Sequence, residues 1–360
     1  MLPFIPLSQS KYVASIITNL LALSILQTVL LAQNGVDVTF NASVTNEFPA
    51  NFQGNVVLQN DGKIIVFNNT QITRFNQDGS SDGSFNYCGC GLAQISSVII
   101  QPNGKYLAAG FIFVSSLNAA KVIRLNSDGS LDNSFISPFP TDGGSSSGKV
   151  FQVQPDGKSL VEVVVSLPGF STDTLYRLNA DGSLDSSFTP IGIGAGRNRH
   201  FLAQTKVDSN GQIYVSGGFS GVSVNPTGFL YRHNADGSRD TIFEAPTSTR
   251  QNLPGTSVIS DFEFSSDGSI FLAGYFTAIN GVPRTSIAKL TPNGGVDLSF
   301  IPPDNFGEIS KLVKLTSNGK IVFSVPSNTL YRLNPNGSLD TTFNAPSNLV
   351  SVQSWAMDAA

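Results

Sequence analysis

One pattern returns six times along this chain and constrains its fold more than any other feature. It reads cation-x-polar-x-(Asp/Asn)-Gly-x-x-Asp-x-x-Phe. Arg124, Asp128, Gly129, Asp132 and Phe135 spell one copy, and Arg177, Asp181, Gly182, Asp185 and Phe188 spell the next. In every copy the cation stands eight residues before the last Asp: Arg74/Asp82, Arg124/Asp132, Arg177/Asp185, Arg232/Asp240, Lys289/Asp297 and Arg332/Asp340. The copies close on Phe85, Phe135, Phe188, Phe243, Phe300 and Phe343, and a seventh tail, residues 37–40, stands alone at the front. A period of about fifty residues denotes a repeat architecture, in which each unit buries its apolar faces against its neighbours.

Each unit carries a second punctuation mark upstream: Asp61-Gly62, Asn103-Gly104, Asp156-Gly157, Asn210-Gly211, Asp267-Gly268 and Asn318-Gly319. Such dipeptides between apolar runs signal a hairpin, with both turn residues expected at positive φ. β-prone runs flank the mark, for example 56–58 and 64–67. A third run precedes the motif, as at 122–125 and 330–333, and a short fourth strand is expected to end at the Phe. Gly, Ser, Asn and Asp are abundant, as a protein of many turns requires. No convincing amphipathic helix follows the N-terminal segment. These signs predict an all-β chain, a β-propeller of four-stranded blades. Six complete repeats close alone, or a partial seventh blade is built from both termini, residues 37–40 and 350–358.

The N-terminus reads as a targeting segment. Lys11 precedes a mostly apolar stretch, 13–32, ending at Ala32. A signal peptide over 1–32 leaves a propeller domain over 33–360; the run also approaches spanning length, so an uncleaved anchor is the alternative. Either reading places the protein outside the cell, secreted or on its surface, with membrane contact only through that segment. The net charge is −4 and there is no basic run, which argues against nucleic acid. Only 13% of residues are charged, about half the usual share. Cys88 and Cys90 are one residue apart in a Gly-rich stretch, as a local disulfide or two surface thiols.

Asn126, Asp128 and Asp132 fit three positions of a calcium loop, in which oxygens recur at alternate positions around a Gly turn. Where another carboxylate should stand, the chain has Arg124, and a cation recurs there in all six copies. A guanidinium cannot ligate calcium. The favoured reading is therefore structural: the cation pairs bidentately with the Asp across the turn and the Phe anchors between units. No cofactor is expected, with calcium as the open alternative. Lys289 loses the planar fork, so the fifth unit should be the loosest.

The runs Gln154-Pro155-Asp156-Gly157-Lys158 and Arg177-Leu178-Asn179-Ala180-Asp181-Gly182-Ser183-Leu184-Asp185-Ser186-Ser187-Phe188 resemble the delta-60 repeat family. That resemblance covers about 40–343 and implies a bacterial β-propeller repeat of unknown function with no established catalytic residues. The fifth unit departs from it at Lys289, Thr291 and Asn293-Gly294-Gly295, and the first at Phe75.

No nucleophile elbow, zinc-protease helix, phosphate loop or C-x-x-C pair is present. Gly192-Ile193-Gly194-Ala195-Gly196 reads as a loop. Glu162 is a catalytic candidate, because other units have Phe67, Ala109, Ser216, Ala273 and Ser324 at its place. A buried carboxyl would have a raised pKa and could act as acid or base; a solvated edge glutamate or a salt-bridged one is the plainer reading. Arg197, Arg199 and His200 cluster as a ligand loop suited to an anion, or as a solvated basic loop. Phe111, Phe113, Phe139 and Phe170 put aromatics near interunit loops. Two functions from different classes result. One is a binding or structural module for an extracellular glycan, peptide or envelope protein, as a monomer or part of a larger surface protein. The other is a hydrolase or lyase with a site in the central channel.

Overall fold

The computed structural model describes residues 11–16, 27–32, 35–36 and 55–357, apart from short breaks at 90, 115–116, 140–144, 168–169, 197–198, 221–226, 251–256, 308, 310, 316–317, 326–328 and 344–351. Every regular element among these residues is a β-strand. The chain divides into two compact units, one of residues 1–87 with 341–360, the other of residues 88–340.

The first unit holds the first repeat, an antiparallel meander of Asn55–Leu58, Ile64–Phe67 and Ile72–Phe75. All four residues of its middle strand are buried, which explains an unbroken apolar run where a half-exposed strand would alternate. A second sheet in this unit has the order Val352–Met357, Lys11–Ile16, Gln27–Ala32, Gly35–Val36. The run read as the start of a shared blade thus pairs with Lys11–Ile16, Tyr12 lying opposite Met357. The tail at 37–40 lies outside the described residues.

The second unit repeats the meander five times. The first strands are Gln94–Ile100, Ser145–Val153, Arg199–Val207, Val258–Phe264 and Lys311–Leu315. The second are Tyr106–Val114, Ser159–Leu167, Ile213–Ser220, Ile270–Tyr275 and Ile321–Ser324. The third are Leu117–Leu125, Phe170–Leu178, Gly228–His233, Ile287–Leu290 and Leu330–Leu333. Beyond each third strand a single bridge forms, as between Leu178 and Leu184, and the Asp-x-x-Phe that follows is a turn closed by Phe188 N–H to Asp185 O. The expected fourth strand therefore does not end at the Phe. Where one forms it lies beyond, as Ile191–Gly196 in the third repeat and Thr247–Thr249 in the fourth. The glycine run expected as a loop is that strand: Ile191 and Ile193 are buried and Gly192 is exposed, the alternation of a sheet edge.

The first turn also differs from expectation. Only its glycine takes positive φ, +82° at Gly62 and +84° at Gly157, because the turn is type I followed by a glycine bulge. Gly62 N–H donates to Gln59 O, and Gln59 N–H to Lys63 O. Asp61 is favoured because its carboxylate accepts the Lys63 N–H at 3.1 Å, an Asx turn. The turn with two left-handed residues is elsewhere. Asn280 (φ 48°) and Gly281 (φ 78°) join Ala278–Ile279 to Val282–Pro283, a hairpin that pairs with Thr247–Thr249 and merges the fourth and fifth repeats into one sheet.

The core is divided among the repeats. Phe188 packs with Leu160 and Leu175 of its own repeat and with Leu202, Ile213 and Val215 of the next. Phe135 does the same with Val161 and Leu178, Phe243 with Phe262 and Ile270, and Phe300 with Ile321 and Phe323. These four motif phenylalanines fill the space between repeats, as the sequence suggested.

Candidate functional site

The motif residues form one polar lattice. In the third repeat Arg177 Nε donates to Asp185 Oδ2 at 2.6 Å, and Lys158 Nζ donates to the same oxygen at 2.9 Å. Asp185 Oδ1 accepts the N–H and the hydroxyl of Ser187. The second repeat uses Arg124, Lys105, Asp132 and Ser134 in the same way, and the first uses Arg74, Lys63, Asp82 and Ser84. In the sixth, Arg332 and Lys320 both reach Asp340. In the fourth, Gln212 replaces the lysine and sits 3.3 Å from Asp240, beside Arg232 at 2.7 Å. The second cation, one residue beyond the first-turn glycine, has no role that sequence reasoning had assigned. Its recurrence in four of the six copies was the available signal.

The arginine forks are not spent on bidentate pairing. Arg124 Nη1 donates to Ala180 O at 2.6 Å, Arg177 Nη1 to Ala235 O at 2.5 Å, and Arg232 Nη1 to Pro292 O at 3.2 Å. Each acceptor lies in the next repeat, two residues before its motif glycine. The residue after each Phe binds the same loop: Ile136, Thr189, Glu244 and Ile301 N–H donate to Asp181, Asp236, Asn293 and Asn336 O. The motif is therefore an interrepeat clasp. Each guanidinium also covers its own phenylalanine, Arg177 standing 4.6 Å from the Phe188 ring centre and Arg124 5.1 Å from that of Phe135.

The clasp shifts its carboxylates. Hydrogen bonds from Lys63 and Ser84 hold Asp82 well below the usual range against the opposing effect of burial, and Lys105 and Ser134 do the same for Asp132. At Asp185 burial opposes the shift, and Ser187, Lys158 and Arg177 outweigh it. The fifth repeat is different. Lys289 Nζ lies 3.5 Å from Asp297 and 3.7 Å from Asp267, an ion pair split between two carboxylates, and Ser269 occupies the second-cation position. Asn126, Asp128 and Asp132 are each engaged by their own loop: Asn126 and Asp128 bind Ser130, and Asp132 binds the two cations and Ser134.

Glu162 is the outstanding departure from the repeat. It is 6% exposed, on the middle strand of the third repeat, opposite Lys149 on the first strand and Leu175 on the third. Its carboxyl neighbours that of Asp173, itself 4% exposed and diagonal to it on the third strand. Asp173 Oδ2 accepts the Leu202 N–H, on the first strand of the fourth repeat, at 3.1 Å. Burial first, then the Asp173 charge, pushes Glu162 well above the usual carboxyl range, with Lys149 and the Leu202 N–H pulling the other way. Asp173 was not singled out from sequence, because nothing local connects it to Glu162. A second ionic group, also not foreseen, joins the next two repeats: Lys206 lies 2.6 Å from Glu263 and 3.3 Å from Asp261, and also donates to Phe262 O. Burial works to lower the Lys206 pKa, but the two carboxylates raise it.

The remaining candidates are placed apart from these. Arg197 lies outside the described residues. Arg199 and His200 open a strand, opposite Ser220 and Phe219, and so are not loop residues. Phe111 and Phe113 also lie on a strand, and Phe139 meets Tyr176 at 5.7 Å between ring centres. Cys88 is disulfide-bonded; the chain's one other cysteine, Cys90, lies outside the described residues.

Five segments match a family described as a "domain of unknown function (DUF5122) beta-propeller": residues 101–135, 154–188, 209–243, 265–300 and 316–343. Each matched segment closes on a motif phenylalanine. No curated protein matches the chain. Among solved structures, prolyl oligopeptidase B from Galerina marginata is 8% identical, with a TM-score of 0.49 over 81% of this chain and 43% of its own, so this chain spans less than half of its length. An endo-arabinase from Bacteroides thetaiotaomicron is 9% identical, with a TM-score of 0.38 over 68% and 90% of the two chains. A polysaccharide lyase, an ulvan lyase, is 11% identical, with a TM-score of 0.40 over 82% and 70%. Five of the chain's six repeats thus match the repeat of a β-propeller family of unknown function.

Proposed function

We propose that this protein is an exported β-propeller of the delta-60 type that acts as a binding or structural module outside the cell, with a glycan, peptide or envelope component as its partner. The observation that carries this reading is where the recurring charges go. The motif Arg, Lys and Asp residues bind one another and the neighbouring repeat, so the repeated chemistry supports the scaffold and leaves recognition to segments that differ between repeats. The apolar stretch 13–32 supports export, and six copies of the motif support a six-bladed ring, a seventh blade from the termini being the alternative. A thermal-shift screen of residues 33–360 against sugars, cell-wall fragments, peptides and divalent ions, with a chelator control, tests it. A ligand that binds the folded state raises Tm. A sugar or peptide hit supports recognition; a calcium-dependent shift would instead assign the motif loops to metal. N-terminal sequencing of the exported protein tests cleavage after Ala32.

The buried carboxyl pair favours a second reading, a hydrolase or lyase in which Glu162 is the acid. Turnover of a polysaccharide or peptide by the wild type that is abolished by Glu162→Gln, with the variant still folding cooperatively, would replace the first reading by this one.

A further inference from the structure

Among the described residues, the large apolar side chains that stand exposed are Ile136, Leu184, Ile242, Leu298, Ile301 and Leu339. They are not scattered. Each lies within four residues of a motif phenylalanine, and all belong to the second compact unit. The clasp strings their segments into one row. Ile136 N–H donates to Asp181 O at 3.1 Å and Ile301 N–H to Asn336 O at 3.0 Å, and Thr189 and Glu244 make the same bond between them. The turns are packed hard on these segments: a Cβ at Gly182 would stand 2.7 Å from Ile136 O, and one at Gly337 2.8 Å from the Ile301 backbone. The exposed apolar groups thus follow one another along the motif turns, from the second repeat to the sixth.

The fold does not ask for them. Ile242 stands where other repeats have Ser134, Ser187 and Ser299, and each of those hydroxyls donates to its motif Asp. The fourth repeat lacks that hydroxyl and leaves Ile242 81% exposed. Leu298, 66% exposed, stands where others have Asn133, Ser186 and Thr241. Apolar groups gathered along one surface mark a contact, where single ones would not.

Charge selects the partner. Arg124, Arg177 and Arg232 are spent on backbone carbonyls of the clasp, and Lys105 and Lys158 on Asp132 and Asp185. The acids of the row face outward: Asp128, Asp181, Asp236 and Glu244 are exposed. Hydrogen bonds from Ser183 and Ser238 hold Asp181 and Asp236 below the usual carboxyl range. Among the described side chains the one exposed cation is Arg239, 3.8 Å from the Tyr231 ring centre. A surface both apolar and anionic complements a segment both apolar and cationic. It repels a second copy of itself, and anionic lipid headgroups equally.

We propose that the row of motif turns from Ile136 to Leu339 is a docking surface for a cationic, apolar polypeptide segment. Its apolar side chains cover Ile136, Ile242, Leu298 and Ile301, and its lysines or arginines meet Asp181, Asp236 and Glu244. The proposal rests on the reading of this protein as a binding module and gives the partner its chemistry.

The test uses the full chain and three synthetic peptides, of Lys-Leu-Gly, Glu-Leu-Gly and Lys-Ser-Gly repeats, in calorimetric titrations at low and high salt. Two variants borrow residues from other repeats and should fold. Ile242→Ser with Leu298→Ser removes the apolar groups. Asp181→Asn with Asp236→Asn removes charge but keeps the turn, since Asn336 makes the same bonds to Ser338. The wild type should bind the Lys-Leu-Gly peptide and neither of the others as tightly. The Ser variant should bind it at least about tenfold more weakly, and the Asn variant several-fold more weakly with a flatter salt dependence. No binding by the wild type, equal affinity in all three proteins, or equal affinity for the Lys-Leu-Gly and Lys-Ser-Gly peptides overturns the proposal. So does self-association, or flotation with phosphatidylcholine vesicles, that occurs in place of peptide binding and is lost in the Ser variant. A sugar hit that both variants leave unchanged overturns the peptide surface and keeps the binding-module reading.

Discussion

At the scale of single residues, the decisive group is the second Asp of the motif. Asp185 accepts from two cations and a serine, all within one small volume. Asp185→Ala leaves Arg177 and Lys158 without their carboxylate, and should lower stability by roughly 1–3 kcal/mol in urea unfolding. Asp185→Asn should do less at acid pH than at neutral pH. An Asp whose folded pKa is depressed contributes fully above its unfolded pKa, and that contribution is lost as pH falls through the folded value. The wild type should therefore lose stability on acidification below about pH 4, more steeply than the variant. Glu162 has the opposite sign. Its folded pKa is raised, so its cost is absent below the unfolded value and grows as pH rises toward the folded one. Stability should then peak on the acid side of neutrality, and Glu162→Gln should raise Tm at pH 8 more than at pH 5. Lys289→Arg restores the fork in the fifth repeat, with Pro335 O placed as its acceptor by analogy with Ala180, Ala235 and Pro292. A gain of about 0.5–1 kcal/mol is expected, and no gain would mean that the backbone there cannot seat a guanidinium.

At the scale of turns and strands, two glycine positions separate conformation from space. Gly104 and Gly237 have φ of +78° and +86°, so either replaced by Ala meets left-handed strain of about 1 kcal/mol. A Cβ at Gly104 meets nothing within 4 Å, whereas one at Gly237 would stand 2.1 Å from Thr189 O. Gly104→Ala should cost about 1 kcal/mol and Gly237→Ala clearly more, because only the second pushes one repeat off the next. Equal melting temperatures would refute this. The strands were legible in the sequence because their middle members are buried on both faces and read as apolar runs. The turn at Gly62 was located correctly but given the wrong geometry, since Asp-Gly specifies a bend without saying which of the two residues is left-handed. The strand at Ile191–Gly196 was missed because three glycines outweighed two buried isoleucines. Asp173 was missed because its meaning depends on a neighbour eleven residues away across a hairpin, and on an amide further still.

At the scale of the whole chain, stability should be shared among interfaces and not held by single repeats. Each motif phenylalanine from Phe135 to Phe300 needs the following repeat to complete its cluster. An isolated third repeat should show no cooperative thermal transition, and a folded one would contradict the shared core. The clasp between repeats has one feature of its own: Arg124, Arg177 and Arg232 each reach forward to a backbone carbonyl, which every residue type supplies. A joint of that kind makes no demand on the identity of its successor. As far as this clasp is concerned, one copy can follow another, so the gene can lengthen by duplication without a matching change in the carbonyl that receives the arginine. Mosaic chains in which segment 177–188 is exchanged for 232–243 should assemble like the parent, and natural variants of this protein are expected to differ in the number of copies before they differ in the joint.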